Sequence, residues 1–124
     1  MATINLTLTD FEKTVSKPGI TIVDFWASWC GPCMSFAPVF EEASEHHPEV
    51  TFAKVDTEEE QLLSSSLNIS SIPTITIYRD GILFYNEAGA LPADNLNKLL
   101  RLVGEIDMDQ VQIQIANEES VAAK

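Results

Sequence analysis

The sequence predicts an α/β domain built on a central mixed sheet of four or five strands, with helices on both faces. Two patterns carry that class. Strand-like and helix-like segments alternate from the N-terminus to about Gly104, and the run "GITIVDFWA" is apolar on both alternating faces, as a strand covered on both sides must be. Length agrees: 124 residues make one ordinary domain, able to bury a core without help from disulfides or metals.

In chain order, "INLTL" reads as a short first strand. "TDFEKTVSK" follows as a helix, with Thr9 and Glu12 in capping-box spacing and Phe11 and Val15 one turn apart. "GITIVDFWA" is then the central strand. Phe36, Val39, Phe40 and Ala43 fall at i, i+3, i+4 and i+7, marking the buried face of a helix that Pro48 closes and placing Cys33 near its first turn. "VTFAKVD" is the next strand, and Thr57 with Glu60 repeats the capping-box spacing for a helix to about Leu67. "TITIYRDGILFYNE" reads as two antiparallel strands around an Asp80-Gly81 turn. Pro92 opens a last helix with the stripe Leu96, Leu99, Leu100 and Val103, which Gly104 ends. The domain is placed at residues 1–104. In the extension, 105–124, Val111, Ile113 and Ile115 alternate with glutamines like a strand, whereas Met108, Val111 and Ile115 suit a helix; a solvated tail is the plainer expectation.

Nineteen acidic residues against seven basic ones leave a net charge of −12, which repels nucleic-acid phosphates and anionic membrane surfaces. No apolar run is long enough to span a bilayer. The opening "MATINLTLTDFEK" has neither a basic nor a continuous apolar segment of the secretory kind, so a cytoplasmic location is expected.

Both cysteines lie in "WCGPC", Trp29 to Cys33. As a staple the pair would close too short a loop to constrain the unfolded chain much. As a metal site it supplies two of four ligands, and the adjacent His46 and His47 are better read as groups favourable to a helix C-terminus; no metal is expected. A redox reading needs little more. A helix N-terminus stabilises a thiolate at Cys30, and Gly31 and Pro32 bring Cys33 back beside it after one turn. Asp24, amid Ile22, Val23, Phe25 and Trp26, would be hard to bury ionised, and desolvation should raise its pKa.

"VDFWASWCGPC", then Pro38, "FAKVD", "SIPT", the Asp80-Gly81 hairpin and "AGAL", in that order and spacing, resemble the thioredoxin family over about residues 4 to 104. The resemblance implies a thioredoxin fold and a protein-disulfide reductase. In it Cys30 is the exposed nucleophile, Cys33 the buried resolving thiol, and Asp24, with Lys54 nearby, the group that helps deprotonate Cys33. It further implies that Trp29 covers the site, that Gly31 and Pro32 shape it, and that Pro38 kinks the helix. A cis Ile72-Pro73 bond would face the dithiol, with Ile72, Pro73 and Gly89 binding an extended client. The implied partners are disulfide-containing clients and a flavin-dependent thioredoxin reductase that passes electrons from NADPH to a monomer with no bound cofactor. Two positions depart from the family pattern: Met34 stands where a cation is common, and Ser70-Ser71 precede Ile72. The competing expectation is a binding or chaperone module of the same fold whose thiols are incidental.

Overall fold

The computed structural model describes residues 2–122. The elements are β1 (Thr3–Asn5), α1 (Phe11–Val15), β2 (Ile20–Trp26), α2 (Gly31–His46), β3 (Thr51–Asp56), α3 (Gln61–Ser66), β4 (Thr74–Arg79), β5 (Ile82–Ala88), α4 (Ala93–Gly104) and α5 (Met108–Ala122). The strands form one sheet in the order β1-β3-β2-β4-β5, and β2 is central, as its two-sided apolar pattern predicts. β1, β3 and β2 run parallel, while β4 pairs antiparallel with both β2 and β5.

Alternation along the strands divides the core between two layers. On one face Ile22, Phe52, Ile75 and Ile77 meet Phe36, Phe40 and Ala43 of α2 and Leu96, Leu100 and Val103 of α4. On the other, Val23, Phe25, Ala53 and Val55 meet Phe11, Val15 and Leu63 from the α1 and α3 side. Phe40 joins helix to sheet, its ring 5.1 Å from that of Phe52 and 5.7 Å from that of Phe36. Each such fully buried side chain contributes roughly 1.5–3 kcal/mol. The parity of β2 puts Asp24 and Trp26 on the same face as Ile22, toward α2.

Three local expectations are corrected. Asp10, not Thr9, precedes α1, and its Oδ1 accepts from the Thr7 backbone N–H (2.7 Å) and hydroxyl (3.1 Å), so no Thr9–Glu12 box forms. α3 starts only at Gln61: the Thr57 hydroxyl donates to the Trp26 carbonyl at 3.1 Å, and Glu60 Oε1 accepts from the Leu8 N–H at 2.9 Å. Residues 108–122 form a helix rather than a frayed tail; Asp107 Oδ1 accepts from the N–H groups of Asp109 and Gln110 at its start.

The Asp80-Gly81 turn is present, with φ of +52° and +82°, and Asp80 ties it to the α1–β2 loop by accepting from the Gly19 N–H at 2.6 Å. His46 and His47 end α2, where His47 lies 2.9 Å from Asn97 Oδ1 and stacks on Phe52. Among the described residues no cluster of three histidine, cysteine or acidic side chains could hold a metal, and no helix is long and apolar enough to cross a membrane.

Candidate active site

β2 ends at Trp26 and the chain turns through residues 27–30 into α2, so both cysteines lie at the carboxyl end of the central strand. Cys30 takes the N-cap position with extended backbone (φ −88°, ψ 111°), and Gly31 and Pro32 begin the helix, where a missing N–H leaves no intrahelical bond unmade. The Cys33 N–H points back at Cys30 Sγ, 3.2 Å away. Cys30 and Cys33 are joined as a disulfide with their Cα atoms 5.2 Å apart. That N–H and the helix dipole are in place to stabilise negative charge on Cys30 Sγ when the bond opens.

The segment before β4 closes over the pair. The Ile72-Pro73 peptide bond is cis. The Ile72 carbonyl oxygen lies 3.8 Å from Cys30 Sγ, and Ile72 packs on the small cluster of Ala27, Cys30 and Cys33. Gly89 adjoins from β5, its N–H donating to the Pro73 carbonyl at 2.8 Å. Its φ of +111° suits glycine, and nothing stands where a Cβ would project. The fold thus brings Cys30, Cys33, Ile72, Pro73 and Gly89 together from three separate parts of the chain.

One exposure expectation changes. Cys30 is not openly exposed: in the disulfide form it is 4% accessible against 1% for Cys33, because Ala27 and Ile72 pack on it. Trp29 is 68% exposed, with its indole N–H held by Glu58 Oε1 at 2.8 Å. Met34 is also exposed, on the first turn of α2. Pro38 lies inside α2, which continues to His46.

Asp24 is fully buried, and neither carboxylate oxygen has a hydrogen-bond partner among the described residues. Desolvation pushes its pKa up to about 7, against the opposing pull of the Lys54 ammonium. Lys54 is the β3 residue paired in register with Asp24, and its Nζ sits 4.6 Å above the Trp26 ring. Glu58 is the site residue that sequence reasoning missed. It lies 29 residues from Trp29 in an acidic run where no pattern singles it out.

A dithiol that alternates with a disulfide at a helix N-terminus can accept or give two electrons by thiol exchange without a further group. Comparison with known proteins agrees. The Thioredoxin family model matches residues 2–102. The "Putative thioredoxin 2" of Streptomyces coelicolor is 40% identical over 121 residues, covering 98% of this chain and 90% of that protein. A Staphylococcus aureus thioredoxin is 37% identical over 101 residues, covering 81% and 96%. Among solved structures, a mutant thioredoxin of Halobacterium salinarum superposes with a TM-score of 0.77 at 28% identity, covering 85% of this chain and 93% of that one. The dithiol at the head of α2 therefore belongs to a member of the thioredoxin family, and its activity is thiol-disulfide exchange.

Proposed function

We propose that the protein reduces disulfides in client proteins and is returned to the dithiol form by a flavin-dependent thioredoxin reductase drawing on NADPH, with no cofactor of its own. The reading includes a monomer working in the reducing cytoplasm. One observation carries it above the others: Cys30 Sγ stands at a helix N-terminus, 3.2 Å from a backbone N–H and 3.8 Å from the Ile72 carbonyl beside cis Pro73. An extended client pairing with the Ile72 backbone, over Pro73 and beside Gly89, brings its disulfide to Cys30.

The Cys30 thiolate attacks one client sulfur; the client S–S bond breaks, a mixed disulfide forms, and the departing client thiolate takes a proton from solvent. Asp24 then accepts the proton of Cys33, whose thiolate attacks Cys30 Sγ. The mixed disulfide breaks, the second client sulfur leaves as a thiolate that takes a proton from solvent while Asp24 returns its proton to solvent, and the client's two electrons have come from Cys30 and Cys33. A carboxylate with a pKa near 7 is matched to that transfer, and Lys54 keeps part of it ionised. Gly31 and Pro32 hold the turn, and Trp29 borders it.

Trapping tests the reading. A Cys33→Ser variant should accumulate clients covalently linked through Cys30, and Cys30→Ser should accumulate none. The wild-type chain, supplied with reductase and NADPH, should turn over a model protein disulfide. Binding of the same partners by both cysteine variants, with no turnover by the wild type, would favour the binding-module alternative.

A further inference from the structure

From Trp29 toward Glu58 the surface leads to a hollow that the exchange chemistry does not use. The Trp29 indole reaches from Cys30's neighbour to Glu58, and beyond Glu58 a hollow of about 240 Å³ is lined by Leu8, Glu58, Glu59, Glu60, Gln61 and Leu62. Its apolar wall is open to solvent, with Leu62 75% and Leu8 52% exposed. The carboxylates are not neutralised from within. Glu58 and Glu60 each spend one oxygen on an N–H, Glu59's side chain makes no hydrogen bond, and no lysine, arginine or histidine pairs with any of the three among the described residues. Met34, which follows Cys33 and is exposed, brings no charge of its own. Lys54, half-buried over the Trp26 ring, pairs with none of these three glutamates.

Exposed leucines alone would suit any apolar partner, and carboxylates alone any cation. A groove walled by leucine and rimmed by glutamate suits a side chain with an apolar stem and a cationic head, which is the form of lysine and arginine. We propose that this groove takes a lysine or arginine carried by the client beside its disulfide, so that clients with basic flanks are the preferred substrates. The inference rests on the client-reductase reading and names its substrate class. Like charge at the rim slows acidic clients by the same means, and the neutral Met34 adds no cation to offset it.

The test uses the full chain, pre-reduced and mixed with three short disulfide-cyclised peptides that differ only in flanking residues: lysine pairs, serine pairs or glutamate pairs. The second-order reduction rate should be about fivefold higher for the lysine peptide than for the serine peptide at low salt and lowest for the glutamate peptide, and the spread should close as salt shortens the screening length. Glu59→Lys should abolish the lysine preference, while Glu119→Lys on α5, with the same change in net charge, should keep it. Equal rates for the three peptides overturn the groove and leave the reductase reading standing. Loss of preference in Glu119→Lys as complete as in Glu59→Lys also overturns it, by assigning the effect to overall charge. Failure to reduce any peptide overturns the reductase reading and the groove with it.

Discussion

Asp24 is the residue hardest to reconcile with its surroundings, and its pKa decides how stability follows pH. Burial holds the folded-state pKa at about 7 against 3.8 for the free group. Between those values the folded chain keeps a proton that the unfolded chain has released. Stability from this residue therefore falls as pH rises through that window, and it stays at its lower level above pH 7. Three units correspond to about 4 kcal/mol, an upper figure because the variant amide also stays buried without a partner. Asp24→Asn should thus be more stable than wild type by about 2–4 kcal/mol at pH 8 and nearly equal to it at pH 4, with slower release of the mixed disulfide. Urea denaturation at both pH values and single-turnover kinetics measure this; a wild-type-to-variant difference independent of pH would remove the buried-carboxylate account. Asp24 was legible in the sequence because a carboxylate in a strand covered on both faces is anomalous by itself. Glu58 was not, since its meaning comes from an indole 29 residues away.

Among the elements, α4 shows how a strand residue can finish a helix. The last carbonyls of a helix lack intrahelical donors. Here Arg79 at the end of β4 supplies them, with Nη1 donating to the carbonyls of Val103 (2.9 Å), Gly104 (3.1 Å) and Ile106 (2.7 Å). The contact also fixes the exit toward α5, because Ile106 packs on the core beneath α4. Arg79→Met should lower stability by about 2 kcal/mol, the scale of charge-assisted hydrogen bonds, and increase amide exchange at residues 103–110. Unchanged exchange there would mean that α4 and α5 are held by packing alone. Sequence periodicity found α4 because Leu96, Leu100 and Val103 repeat at helical spacing. It misjudged the starts of α1 and α3, because a Ser/Thr-x-x-Glu spacing does not reveal that the Thr57 hydroxyl and the Glu60 carboxylate bond to Trp26 and Leu8 instead. For α5 a usable signal was passed over: Asp107 followed by Gln110 has the spacing of a helix start, and the alternation of Val111, Ile113 and Ile115 obscured it.

At the scale of the molecule, the order of elements and the dithiol were readable because each depends on residues close in sequence: two-sided strands, helical stripes, and five residues from Trp29 to Cys33. The cis Ile72-Pro73 bond and the approach of Gly89 depend on sheet assembly, and only family resemblance anticipated them. Net charge is likewise a property of the whole. Twelve excess negative charges over 7385 Å² of surface lie about 25 Å apart on average, inside the screening length of about 30 Å at 0.01 M salt and outside that of about 10 Å at 0.1 M. Self-repulsion should therefore weaken the folded state at low salt and alkaline pH. Raising sodium chloride from about 0.01 M to 0.2 M at pH 8 should increase stability by about 1 kcal/mol, read from urea midpoints. The same addition near pH 4.3, the isoelectric point, should have little effect because the net charge is gone. The buried Asp24 is shielded from mobile ions, so its penalty persists in salt and the effects of salt and of Asp24→Asn should add at pH 8. Salt that rescued wild type but not Asp24→Asn would show instead that the buried carboxylate, not the acidic surface, is the origin of alkaline weakness.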